Sequence, residues 1–545
     1  MPPISLSIPG KNNKDRLLIP ELFIVIAILS LAAYFRLVNL RSIPDWFQDE
    51  GEFIRLADQI VGGNYDFLGI RGSTLLIGRP PIFFWIIAGL FKLVGADIVF
   101  LRSFTAICSL LTCGIGYLFA RQALNRTSAV YTLAWMAIIP EYVFYNRLGF
   151  TYNLFSGLVL LFAFAVWKYL AEGERKWLAA ACLGAGLGLA CDFLGLVLVL
   201  FLILILLARK PADLWYVLTL APLPLVIALL PALINAPGEI WNDLIAVVLR
   251  GGGISPSLGW NVLTMISAYG FLIQRQTWIV LGLIGLLALP DQRLRNLLLA
   301  LAFGLLLPTS LGRGLAAHYL LPVWPLFMIG LGSLTETGVK HIFNIYASTF
   351  NRLKPIGKWR LTGRYPLSMS SGLTRLIVLF LVFSPFIWML FLDSGYFIWK
   401  TVGVQNIMPS VLFLDGYVPA SDAQAISEAI LKDLKAEDLV IAPGTVYWLL
   451  PGRAVDIRTV ALYEAGGKIP KLAEIDPARF IGNNSLDSAR YVVVDNTWRH
   501  WWARDYPEIA DLLQKVSKWP LLMEQGSLEI YYNPMKCCPE GESQD

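Results

Sequence analysis

Charge is the scarcest property of this 545-residue sequence. Asp, Glu, Lys and Arg make up 15% of it, where a soluble domain carries roughly 25%. With 56% hydrophobic residues and a mean hydropathy of +0.61, most of the chain belongs in lipid. The net charge of +5 is too small for a nucleic-acid surface, so no nucleic acid is expected as a partner. Histidine occurs three times. There is no P-loop, no HExxH zinc motif and no GxSxG nucleophile turn. Cysteine is sparse, and Cys108, Cys113, Cys182 and Cys191 sit in apolar runs, where they are expected to pack as small hydrophobes. The Cys537-Cys538 pair has no metal-ligand spacing. No internal repeat is visible. No small-residue cleavage site follows Lys11, Lys14 and Arg16, so the first apolar run reads as an uncleaved anchor.

What the sequence has instead is apolar runs and 18 Trp, the latter suited to interfacial belts. A span needs about 20 apolar residues. Candidate spans lie at 18–37, 98–120, 128–145, 153–171, 177–190, 192–208, 214–234, 276–290, 295–311, 316–335 and 374–394. The run 81–94 is short and opens on Pro80-Pro81, which suits a helix start. Loop charge decides its placement. If the N-terminus is cytoplasmic and 81–94 does not cross, the basic loops 121–128, 172–176, 209–210, 291–296 and 336–373 all fall inside, as the positive-inside rule asks. The expected architecture is a polytopic α-helical membrane protein of about eleven spans, in the plasma (inner) membrane, with 81–94 a short helix on the outer face. Residues 1–394 form the transmembrane part, with an outer-face loop at 38–97 and a basic cytoplasmic loop at 336–373.

Residues 395–545 have a different composition, and the length suffices for one α/β domain, here soluble and extracytoplasmic. Ser421-Asp422 precedes an amphipathic helical stretch. Residues 438–442 and 491–495 read as buried strands, and 528–532 as a closing strand. The turn Ala442-Pro443-Gly444-Thr445 is too generic to carry a nucleotide-binding reading.

The stretch Pro44-Asp45-Trp46-Phe47-Gln48-Asp49-Glu50-Gly51-Glu52 places carboxylates at the mouth of the first span. Asp49 or Glu50 could take a proton from an acceptor hydroxyl; the bland alternative is a solvated acidic loop, and Glu52 reads as a solvated neighbour. Arg79, just before the 81–94 helix, could meet a phosphate together with the helix N-terminus, or anchor the helix to lipid head groups. Arg147, Arg313 and His318 fall on the same predicted face, as phosphate contacts or as snorkelling anchors. Asp192 reads as a turn residue satisfying helix-end N–H groups.

Gln48-Asp49-Glu50-Gly51-Glu52-Phe53, then Gly78-Arg79-Pro80-Pro81-Ile82-Phe83-Phe84-Trp85, then His318-Tyr319-Leu320-Leu321-Pro322-Val323-Trp324-Pro325 resemble the GT-C glycosyltransferases. The resemblance is to the branch of the protein O-mannosyltransferases and aminoarabinose transferases (glycosyltransferase family 39 and neighbours), over residues 18–335. The resemblance implies transfer of a sugar from a polyprenyl-phosphate-linked donor to a protein, lipid or glycan acceptor at the outer face. It makes Asp49 the catalytic carboxylate with Glu50 beside it. It puts Arg79 near the donor phosphate, with Arg147, Arg313 and His318 as further phosphate contacts. Relatives differ in metal use, so a divalent metal is left open and none is assigned. Where relatives carry a Thr-Lys pair, this chain has Cys191-Asp192, which removes one phosphate contact. The competing reading, a transporter or lipid-carrier flippase, predicts two related halves and helices broken near mid-membrane; the sequence shows neither.

Overall fold

The computed structural model describes residues 19–63, 80–235, 238–241, 243, 277–311, 317–353, 416–470 and 472–536. The expected span at 374–394, most of the basic loop 336–373 and the Cys537-Cys538 pair lie outside them. Four described helical stretches are long and apolar enough to cross a bilayer: Ile19–Leu37, Ile98–Ala123, Thr151–Glu172 and Pro211–Ile234. Shorter apolar helices pack beside them, and the chain is a multi-pass membrane protein.

The bundle opens with α1 (Ile19–Leu37). A two-residue strand β1 (Trp46–Phe47) and the amphipathic α2 (Gln48–Val61) follow. Helix α3 (Ile82–Val94) starts where Pro80-Pro81 predicts and buries Phe83, Phe84, Ile87 and Phe91. Asp97 then caps α4 (Ile98–Ala123) by accepting the Val99 N–H at 2.7 Å, and Asn125 caps α5 (Arg126–Ile138) through the Ser128 N–H at 2.9 Å. Such caps satisfy amides that the first helical turn leaves open.

The single span expected at 128–145 is broken. Ile139 is extended, and α6 (Pro140–Asn146) begins anew, because a residue before proline is pushed out of the helical region. Every residue of α6 is buried. Helices α7 (Thr151–Glu172), α8 (Arg175–Cys191) and α9 (Gly195–Arg209) pack in sequence. The expected 214–234 span is divided at Pro222 into α10 (Leu214–Leu220) and α11 (Pro222–Asn235), with Ala221 between them keeping helical dihedrals. Helices α12 (Thr277–Leu287) and α13 (Gln292–Leu311) precede α14 (Trp324–Leu353). Helix α14 runs well past the expected span end at 335, so the first part of the basic loop is helical. The four bundle cysteines are buried thiols, packed as expected.

After residue 415 come β2 (Tyr417–Val418), α15 (Ala420–Leu431), β3 (Leu439–Ile441), β4 (Arg453–Val455), α16 (Ile457–Glu464), β5 (Lys468–Ile469), β6 (Ala473–Glu474), β7 (Ala489–Val494), α17 (Pro507–Val516), β8 (Leu521–Gln525) and β9 (Leu528–Tyr532). Five of the strands make one sheet in the order β4-β3-β7-β9-β8. β4, β3 and β7 are parallel, while β9 is antiparallel to both of its neighbours. The segment 528–532 is therefore an inner strand, and β8 forms the edge. Helix α15 starts at Ala420 after Pro419, ahead of the expected Ser421-Asp422 cap.

This tail sheet is docked on the bundle through α2. Strand β1 pairs with β2, Trp46 opposite Val418 and Phe47 opposite Tyr417. Trp46 also meets Trp448 at 5.2 Å between ring centroids, and the Arg55 guanidinium donates to the Gly452 carbonyl at 2.8 Å. The tightest approach is backbone on backbone: a Cβ added to Gly51 would lie 1.7 Å from the Gly444 carbonyl oxygen. The Pro443-Gly444 turn, generic as a motif, is thus a packing surface for α2. Overpacking typically costs about 1–3 kcal/mol, and backbone cannot swing aside. Gly51→Ala should therefore loosen the tail from a bundle that still inserts, read as faster proteolysis of the tail in intact membranes.

Candidate active site

Helix α2 carries three acids in its first five residues, and the fold treats each differently. Asp49 and Glu50 sit in the first turn, where the helix dipole favours negative charge. Glu50 is fully buried against Arg102 of α4, itself fully buried. The pair is bidentate: Nε donates to Oε1 at 2.8 Å and Nη2 to Oε2 at 2.6 Å. Glu50 Oε1 also accepts the Gly149 N–H at 2.7 Å, and Oε2 the Phe47 N–H at 3.1 Å, closing a capping box. Arg102 spends its remaining donors on the carbonyls of Leu40 (2.8 Å), Pro44 (2.7 Å) and Asp45 (3.0 Å). A carboxylate with four such bonds, walled off from solvent, is a structural anchor. It holds the entry to α2 and has no face left for a substrate, which differs from the catalytic place expected for Glu50.

Glu52 is not the solvated neighbour its sequence context suggests. It is 4% exposed and ion-paired with Arg458 of α16. The same guanidinium donates through Nε to Asp456 Oδ1 at 2.6 Å and stacks over the Trp502 ring, 4.6 Å from its centroid. Burial pushes the Glu52 carboxyl up to about 7, with Arg458 opposing and the charges of Asp49 and Asp456 adding to the rise. Glu52 and Asp456 share this one buried cation.

Asp49 lies between these two pairs and is only half-buried. Its charge is felt by Glu52 and by Tyr417 of β2, whose hydroxyl burial and neighbouring acids push upward. Adjacent residues of a helix point about 100° apart, so Asp49 leaves the helix in a direction different from Glu50. Of the three acids it is the most exposed.

The other expected residues divide. Arg147 is fully buried. It donates to the backbone carbonyls of Phe35, Val38 and Ile43, satisfying carbonyls at and beyond the end of α1. That engagement corrects its expected place as a phosphate contact on an open face. His318 is 7% exposed and sits in an aromatic cluster, its ring 4.7 Å from Phe150, 5.7 Å from Tyr152, 4.5 Å from Tyr319 and 6.2 Å from Phe47. It therefore adjoins the strand that leads into Asp49. Arg79 and Arg313 lie outside the described residues. Asp192 accepts the Leu194 N–H at 2.9 Å, the turn role read from sequence. Among the described residues no three His, Cys, Asp or Glu side chains converge as a metal site requires.

Besides Arg458, two buried arginines of the bundle escaped the sequence reading. Arg102 lies inside a run taken as an apolar span. Arg36, near the end of α1, is fully buried; it donates to Ser109 Oγ at 3.1 Å, to Asn146 Oδ1 at 3.0 Å and to the Met136 carbonyl at 2.7 Å. Asn146 in turn bonds Asn153 at 2.8 Å. The available signal was the rule that an ionisable residue inside a span has a specific partner.

Residues 78–241 match the family model described as dolichyl-phosphate-mannose-protein mannosyltransferase. No curated protein matches the sequence. Among solved structures, the chain is similar to ArnT from Cupriavidus metallidurans bound to undecaprenyl phosphate, with 16% identity and a TM-score of 0.57, over 94% of this chain and 97% of that one. The apo state of ArnT gives 15% and 0.58 over the same shares. The apo oligosaccharyltransferase of Archaeoglobus fulgidus gives 13% and 0.50, over 91% of this chain and 72% of that one.

Proposed function

We propose, taking the GT-C fold shared with these structures as premise, that this chain is a membrane glycosyltransferase. It moves a hexose or pentose from a polyprenyl-phosphate-linked donor to a protein, lipid or glycan acceptor at the outer face of the plasma (inner) membrane. The N-terminus is cytoplasmic and the tail extracytoplasmic, a reading supported by the distribution of loop charge. The observation that carries the proposal is the arrangement on α2: a half-buried Asp49 held between two buried acids, each fixed by an arginine from a different part of the chain.

In this reading Asp49 is the general base. The acceptor oxygen attacks the anomeric carbon while its proton passes to the Asp49 carboxylate. The bond from that carbon to the phosphate oxygen breaks, and its electron pair leaves with the polyprenyl phosphate. A single displacement of this kind inverts the anomeric centre. Glu50 positions Asp49 by anchoring the first turn of α2 to Arg102. Arg79 and Arg313 are the proposed partners of the leaving phosphate, where a cation offsets charge that grows in the transition state. His318 adjoins α2 through its contact with Phe47. Arg147 has no part in the proposal, because backbone carbonyls occupy its donors.

The test is release of label. Membranes containing the protein, incubated with polyprenyl-phosphate hexose and, separately, pentose labelled in the sugar, should move label out of the lipid fraction into an acceptor. Label that crosses the membrane but stays on the lipid would mean transport without transfer and would sink the proposal.

A further inference from the structure

Besides the Arg55–Gly452 bond, the tail meets the helix that carries Asp49 through a buried ion pair. Glu52 lies three residues on from Asp49, so the two side chains are neighbours on one helical face. Arg458 reaches Glu52 across 406 positions of sequence and is itself immobilised by Asp456 and Trp502. Alongside this pair the Gly51–Gly444 contact leaves no room for α2 to slide. We propose that Arg458 is a positioning residue for Asp49, acting through Glu52, so that the tail sets both the pitch of α2 and the charge beside the catalytic carboxylate. The proposal rests on the reading of Asp49 as the base.

The groups facing Glu52 are Asp49 along α2 and Arg458 and Asp456 from the tail. Tyr447 also lies in its field, and Arg55 acts on Tyr447 in turn. On the bundle side Glu50 is neutralised by Arg102. With its carboxyl lifted to about 7, Glu52 ionises as pH rises through neutrality. Ionisation strengthens its bond to the guanidinium, since charge-assisted hydrogen bonds are the stronger kind. The firmer bond fixes α2 and with it Asp49, so kcat rises as Glu52 loses its proton.

The experiment is the pH profile of kcat for the full-length protein in lipid, using labelled polyprenyl-phosphate hexose as donor. Wild type should show a step near pH 7. Glu52→Gln keeps an acceptor oxygen for Arg458 but cannot ionise, and the step should vanish. Arg458→Met removes the cation that lowers the Glu52 pKa, so the step should move to higher pH; Arg458→Lys should leave it near its original place. A uniform fall of kcat at every pH, with the step still present in Glu52→Gln, would show a merely structural role and overturn the inference. Should Arg458→Met not fold, the near-isosteric Glu52→Gln decides alone. An Asp49→Asn control separates the two levels: if it stays active the reading of Asp49 as the base fails, and if it is inactive while the step persists in Glu52→Gln only this inference fails.

Discussion

Replacing Asp49 with asparagine should abolish sugar transfer while leaving a folded, inserted protein. A positioned general base contributes typically about 10²–10⁴-fold, and the amide cannot accept the acceptor's proton. Stability should hold for a specific reason. Asp49 is half-buried and adds negative charge beside a site where Glu52 and Asp456 already compete for one arginine. Removing that charge relieves repulsion and breaks neither anchor of α2. Turnover of labelled donor and the melting temperature of the purified protein, measured on one preparation, check both halves. Activity within a few-fold of wild type would remove Asp49 from the mechanism.

Arg102→Leu should do the opposite, and largely through folding. It strands the Glu50 carboxylate in a site with no solvent and leaves the carbonyls of Leu40, Pro44 and Asp45 without their donor. Removing one partner of a buried ion pair costs about 3–5 kcal/mol, against a typical total stability of about 5–15 kcal/mol. The expected outcome is a large drop in the amount of folded protein recovered and, in what remains, a lowered melting temperature. Arg102→Lys should rescue little, since an ammonium cannot reproduce a bidentate fork plus three carbonyl bonds. A melting temperature unchanged in Arg102→Leu would show that the pair does not hold α2.

The acid motif, the short helix after Pro80-Pro81 and three of the sheet's strands were legible in sequence because each is a local pattern. Asp49 stood out as a carboxylate at the mouth of a span, and β9 as a short alternating run. The division of labour among the three acids was not legible, because it depends on partners 52 and 406 positions away. Nothing near Glu52 announces Arg458, and nothing near Gly51 announces Gly444. Arg102 and Arg147 were obscured for another reason. An arginine in or beside an apolar run reads equally as a snorkelling anchor or a ligand, and only the position of the Leu40, Pro44 and Phe35 carbonyls shows that the backbone claims it. Pro140 and Pro222 were visible as helix breakers, but hydropathy averaged over a window passes over them.

The Gly51–Gly444 contact has a consequence for the order in which the protein is made. Helix α2 leaves the ribosome early, whereas the turn that seats it and the arginine that pairs with Glu52, 406 positions on, follow late in the chain. Through most of translation the acidic helix has its bundle anchor and lacks its second one. Asp49 therefore reaches its final setting only after most of the polypeptide has been made, and a chain that stalls midway carries the acidic motif without the tail that seats α2.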